Sequence, residues 1–168
     1  MIIRKELATD KEQIYLINTR AFNTDEEARL VNALRDNVRE YISLVAEIDN
    51  TVVAYILFTQ VSLTGDHSGL KLLGLAPMAV LPEYQRQGIG SALVKYGLEQ
   101  CKSRGYDAIV VLGHPGFYPK FGFTPARDFG IGSEYDVPSE VFMIKELTPG
   151  CLKGQQGVIK YHNLFNSM

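Results

Sequence analysis

Cysteine is scarce in this chain. Its 168 residues hold only Cys101 and Cys151, not spaced as a Cys-x-x-Cys pair, so neither a disulfide framework nor a zinc site can be read from them. Cys101 falls in a helical pattern and reads as a small core residue. No spacing of His, Asp or Glu suggests a metal centre, and no metal is expected. A charge excess is lacking too: 17 Lys and Arg stand against 19 Asp and Glu, a formal net charge of −2. A nucleic-acid binder would usually carry a basic excess, so no nucleic-acid partner is expected. A local basic patch around a phosphate-bearing ligand stays open. No stretch approaches the ~18 apolar residues of a membrane span. The start, Met1-Ile2-Ile3-Arg4-Lys5, is soon broken by Asp10, Lys11 and Glu12, which excludes a signal-peptide core. The chain therefore reads as cytoplasmic, with no membrane partner. There is no internal repeat and no linker.

What is present fits one α/β domain. The composition is 46% hydrophobic and 21% charged, and a domain of this size buries about two-thirds of its unfolded surface. Ile2 to Lys5 reads as a first strand. Thr9-Asp10-Lys11-Glu12 has the capping-box spacing, followed by Ile14, Ile17 and Ala21 at helical intervals. The pattern recurs in Thr24-Asp25-Glu26-Glu27, ahead of Leu30, Val31 and Leu34, so two short helices with a break near Asn23 are predicted. Residues 41–48 and 51–58 are β-rich, and Asp49-Asn50 between them is a hairpin turn. Leu70 to Val80 is mostly apolar but carries Pro77, which cannot donate to a ladder and marks an edge, a bulge or a point where strands part. An amphipathic helix from Ile89 ends near Gly105. Ala108 to Leu112 is a continuous apolar run, as in a strand covered on both faces. One helical turn is expected over Phe117 to Phe121, and further strands near Val141–Ile144 and Val158–Tyr161.

The most informative segment runs from Met78 to Ser91, strand through polar turn into helix. The first turn of a helix has four unbonded N–H groups and about half a positive charge. Gly88 and Gly90 leave room for phosphate oxygens to approach that main chain, and Arg86 adds a charged donor. The two glycines could equally serve tight helix packing. Two common nucleotide loops are excluded: there is no Gly-x-x-x-x-Gly-Lys-Ser/Thr string, and Gly-x-Gly-x-x-Gly would need a glycine where Leu93 stands.

Gln85-x-x-Gly88-x-Gly90 resembles the Gln/Arg-x-x-Gly-x-Gly/Ala signature of the GCN5-related N-acetyltransferases. The resemblance extends over roughly residues 2 to 147, and the segment Gly113 to Phe123 is similar to the family's Tyr-x-x-x-Gly-Phe element. It implies an α/β (α+β) GNAT acyltransferase fold: a mixed, mostly antiparallel sheet of about six or seven strands, splayed at the cofactor site and flanked by helices. The single N-acetyltransferase domain spans 1–168, with 148–168 an extension beyond the matched core. It implies acetyl-CoA or coenzyme A as co-substrate and a small-molecule or peptide amine as acceptor. Main-chain groups of Met78, Ala79 and Val80 would hold the pantetheine arm. The N–H groups from Gln85 through Arg86, Gln87, Gly88, Ile89 and Gly90 to Ser91 would hold the pyrophosphate. Tyr118 matches the tyrosine that serves as general acid toward the sulfur; a core aromatic role is compatible with that.

The general base is left between Glu47, His114 and a water chain to solvent. His114 has the ordinary pKa for the task, near 6.5. Phe22, Tyr55 and residues 129–136 are expected to line the acceptor side, and Val158 to Phe165 to pack over it. The oligomeric state is left at monomer or homodimer. The other reading is a module of the same fold that binds acyl-CoA as a sensor or structural element, without turnover.

Overall fold

The computed structural model describes every residue except Ser68 and Met168, and the backbone alone of Ser167. Strand β1 (Ile2–Lys5) leads into helices α1 (Lys11–Phe22) and α2 (Glu26–Asn37). The capping role expected of Thr9 belongs to Asp10. Its carboxylate accepts the Leu7 N–H at 2.6 Å and both terminal nitrogens of Arg4 at 2.7 and 3.0 Å, while Thr9 is exposed. A carboxylate outcompetes a hydroxyl here because it pairs bidentately with the half-buried Arg4 guanidinium. Helix α1 stops at Asn23, whose φ of 57° lies in the left-handed region that asparagine tolerates. At α2 the Thr24 hydroxyl does accept the Glu26 N–H, at 3.3 Å. Glu27 does not close the box; one of its carboxylate oxygens is buried with no hydrogen-bond partner.

Strands β2 (Tyr41–Ile48) and β3 (Thr51–Leu63) form the predicted hairpin. Asp49 and Asn50 have φ of 51° and 63°, both positive as a type I′ turn requires. Residues Val52 to Thr59 are buried without interruption, and burial alternates from Gln60 onward. Thus β3 is covered on both faces over its first two-thirds and on one face beyond. Helix α3 (Ile89–Ser103) packs against this covered stretch. A Cβ at Gly97 would lie 2.5 Å from the Phe58 ring, so glycine lets the helix sit directly on the sheet.

The sheet continues with β4 (Leu72–Val80), β5 (Ala108–Leu112), β8 (Phe142–Glu146) and the two-residue β6 (Thr124–Pro125), in the order β1-β2-β3-β4-β5-β8-β6. A side branch pairs β7 (Ile131–Ser133) with β9 (Gly157–Lys160), and β9 also pairs with the far end of β3. Only β4–β5 and β7–β9 are parallel. Among the described residues nine strands stand against the six or seven expected. The surplus is in β6 and β7, too short for any side-chain period to reveal.

The feature that positions the site is the parting of β4 and β5. Their ladder ends at Leu75↔Val111. Beyond it Met78, Ala79 and Val80 pair only with Ile56, Tyr55 and Ala54 of β3. Ala76 and Pro77 together oppose Leu57, a bulge that carries β4 away from β5. Pro77 lies where the sequence marked a bulge or parting.

Asp10 couples β1 to α1 through Arg4, which also reaches Glu47 of β2 at 2.6 and 3.0 Å. The Arg4 hydrogen bonds hold the Asp10 carboxyl below its ordinary value of 3.8. A depressed carboxylate contributes stability above its unfolded pKa and loses it as pH falls through the folded one. Asp10→Asn should therefore cost about 1–3 kcal/mol at pH 7. In urea denaturation the gap from wild type should close below about pH 4.

Candidate active site

Where β4 and β5 part, a cavity of about 310 Å³ opens. Its floor is residues 75–78 of β4, with Leu112 from the end of β5. Helix α1 contributes Phe22, and α2 contributes Glu27 and Leu30. Tyr118 and Phe165 complete the wall. A wider depression of about 590 Å³ lies beside Arg35 and Arg39 and shares none of these residues. Its walls are largely charged, with Arg35 paired to Glu6 at 2.5 Å.

Tyr118 opens a 3-10 turn over Tyr118–Phe121, as the aromatic spacing predicted. Its ring is fixed by edge contacts to Phe117 and Phe123, with centroids at 4.9 and 5.6 Å. A Cβ at Gly113 would collide with Tyr118 Cε2, so that glycine allows the phenol to lie over the chain leaving β5. Only 8% of the residue is exposed, and burial pushes the phenol up to about 12. It is a neutral hydroxyl at physiological pH. The core aromatic role and a place on the cavity wall hold together.

At the other end of β4, the chain turns through Pro82–Tyr84 into α3. Gly88 precedes the helix with φ of 82°, and Arg86 also has positive φ, 61°. The first intrahelical bond runs from the Ala92 N–H to the Gly88 carbonyl at 3.0 Å. Among the described residues, the N–H groups of residues 86–91 have no main-chain acceptor. Gln85 departs from the expectation. Its N–H is already bonded to the Pro82 carbonyl at 3.3 Å, and its side chain donates to the Val80 carbonyl at 2.9 Å. Gln85 thus ties the loop to the strand end, and the free run of N–H groups begins at Arg86. A Cβ at Gly90 would stand 3.5 Å from Met78 Cε, so the loop rests on the strand.

The structure sorts the other site expectations. Phe22 reaches the cavity, 37% exposed. Glu47 does not: its carboxylate is engaged by Arg4 at the β1–β2 edge. His114 is exposed and its Nδ1 accepts the Gly116 N–H at 3.0 Å, which makes it a turn-shaping residue. Tyr55 is buried in the core, its hydroxyl accepting from Ser43 at 2.9 Å. Residues 129–136 act indirectly. Tyr135 packs on Tyr161, and Tyr161 on Phe165, with centroids at 5.7 and 5.3 Å. Phe165 is therefore where the expected packing of the C-terminal segment over the cavity is realised. Among the described residues no group of three His, Cys, Asp or Glu is gathered for a metal ion. No described helix is long and apolar enough to cross a membrane.

Sequence reasoning missed Glu27. A signal existed: Glu27 precedes Leu30, Val31 and Leu34 by three, four and seven residues, so it heads the apolar face of its helix. An acidic residue on a buried stripe needs a reason; the capping-box reading hid that question.

Comparison with known proteins agrees with this geometry. A model of the acetyltransferase (GNAT) family matches residues 10–123. The N-acetyltransferase YhbS of Escherichia coli K12 is 35% identical over 167 residues, covering 99% of each chain, so residues 148–168 fall within the match. The crystal structure of E. coli YhbS in complex with CoA superimposes with a TM-score of 0.92 over 98% of this chain and 91% of that one. A GNAT family acetyltransferase from Brucella melitensis, in complex with acetyl-CoA, is 33% identical with a TM-score of 0.79, covering 98% and 97%. The family model spans more than half of the sequence, and the parted strands, glycine loop and aromatic turn follow in its order: the chain belongs to the acetyltransferase (GNAT) family.

Proposed function

We propose that the protein transfers an acetyl group from acetyl-CoA to a primary amine of a small molecule or peptide by direct attack on the thioester. The observation that carries the reading is the free edge of β4 over Met78–Val80, joined to the unbonded N–H groups of 86–91 at one end and to the cavity at the other. A strand edge with unpaired main-chain groups takes an extended, amide-bearing ligand as a further strand would dock. The pantetheine arm has that shape, and its length leads to a pyrophosphate that Arg86 to Ser91 would hold. The solved relatives with CoA and acetyl-CoA support this assignment.

When bound, acetyl-CoA supplies an activated acyl carbon and a thiol leaving group. Main-chain N–H groups of Met78 to Val80 polarise the carbonyl oxygen. Tyr118 donates to the departing sulfur. In water a phenol near 10 is a poor acid toward a thiolate near 8.5. Burial changes the comparison, because it raises both groups. The buried Cys101 thiol in this protein is pushed up to about 12 by desolvation, level with the Tyr118 phenol. Burial of the sulfur beside Tyr118 would raise the thiol in the same direction as the phenol, so the phenol would not lose ground as a donor.

Calorimetry on the full chain should give saturable binding of acetyl-CoA and of CoA; no heat at millimolar ligand would end the proposal. Gly88→Ala forces a side chain into the left-handed region at roughly 1–2 kcal/mol, and its CoA affinity should fall about tenfold. Tyr118→Phe should lower kcat by about 10²- to 10⁴-fold with acetyl-CoA affinity unchanged. Gly113→Ala, which displaces the ring, should follow the same split. Acetyl-CoA binding without thiol release for any amine would return the sensor reading.

A further inference from the structure

Among the described residues Glu27 is the one charged side chain in the wall of the cavity; the others are apolar apart from the Tyr118 phenol. Its Oε1 is buried, and among the described residues nothing donates to it. A carboxylate oxygen withdrawn from water without a donor costs several times a normal hydrogen bond. The fold spends that energy at the parting of β4 and β5, beside Tyr118. By contrast the buried Asp10 receives Arg4 on both oxygens, and Glu47 receives it twice on Oε1. Solvent does not reach Oε1, so the oxygen offered to the cavity is Oε2, which has no ion-pair partner among the described residues and can meet a cation that arrives from outside.

Resting on the acetyl-transfer reading above, we infer that Glu27 holds the ammonium of the acceptor, and that the acceptor is a primary amine on an aromatic or alkyl body with no carboxylate beside the nitrogen. The second half follows from what the wall omits. Among the described residues it holds no Lys, Arg or His, so a substrate carboxylate would be buried unpaired and next to Glu27. The apolar body would meet Phe22, Leu30 and Phe165. Phe165 is a preset surface, because Tyr161 backs it and lies so close to Gly74 that a Cβ there would stand 2.8 Å from its ring.

The protons balance. An acceptor entering as an ammonium loses two. The first goes to the Glu27 carboxylate and on to solvent, freeing the nitrogen lone pair. The N–C bond then forms as the C–S bond breaks, and the sulfur takes the Tyr118 proton. The second nitrogen proton restores the phenol. Products are the amide, the free thiol and one released proton.

The test uses the full chain with phenethylamine and phenylalanine, two molecules that differ by one carboxylate. Wild type should acetylate phenethylamine with kcat/KM at least about 100-fold above phenylalanine, the order expected for an unpaired buried charge. Phenethylamine should also bind the CoA-saturated protein in calorimetry. Glu27→Gln keeps the shape and removes the charge. It should raise KM for phenethylamine about 10- to 100-fold and abolish the calorimetric signal, while acetyl-CoA affinity, which also reports folding, stays within about twofold. Wild-type kinetics in Glu27→Gln, equal use of phenylalanine, or no turnover of phenethylamine by protein that binds acetyl-CoA would each overturn the inference and leave the cofactor reading intact. Failure to bind acetyl-CoA would remove both.

Discussion

Two neighbouring strands of one sheet stop sharing hydrogen bonds at Leu75 and Val111, and the rest of the site follows from that separation. A buried sheet ordinarily satisfies every main-chain group within its ladders. Here the bulge at Ala76-Pro77 leaves one edge of Met78 to Val80 unmatched inside the fold, while β3 keeps the strand in place on the other side. The same separation creates the cavity and ends β4 at the loop that enters α3. A strand edge, a pocket and a helix N-terminus are thereby set in line.

The walls of the cavity are held by close approaches that only small residues permit. Gly113 lets the Tyr118 ring lie against the chain leaving β5, and Gly74 does the same for Tyr161 on β4. Aromatic edge contacts then carry rigidity outward, from Tyr118 into the Phe117 and Phe123 cluster and from Tyr161 to Phe165. Interiors at crystal-like density transmit position well, so side chains far apart in sequence can be held to one geometry without a disulfide or a metal.

The charges show how environment separates residues of one type. Glu47 sits near the end of β2, between β1 and β3, where Arg4 pairs with its charge and donates twice to its Oε1. Glu27 sits in a helix first turn and has an oxygen with no donor among the described residues. The first is spent on joining β1 to β2; the second is left for a ligand. Desolvation acts similarly on Tyr118 and Cys101, raising both. Cys101 is fully enclosed on the inner face of α3, whereas Tyr118 borders the cavity, and access alone gives the two different uses.

Much of the architecture was legible in the residues. Local rules sufficed for the Asp49-Asn50 hairpin, the break at Asn23, the continuous burial of Ala108 to Val111, the single turn after Gly116 and the glycine loop that opens α3. Each depends on a period or a backbone conformation written within a few positions. The sheet order, the short strands β6 and β7, and the loss of Glu47, His114 and Tyr55 from the site were decided only by tertiary structure. So were the gain of Glu27 and the engagement of the Gln85 N–H. The physical reason is the same in each case. Whether a polar group is free depends on which partner the fold brings within about 3 Å, and Arg4 lies 43 positions from Glu47, a distance across which no sequence pattern carries.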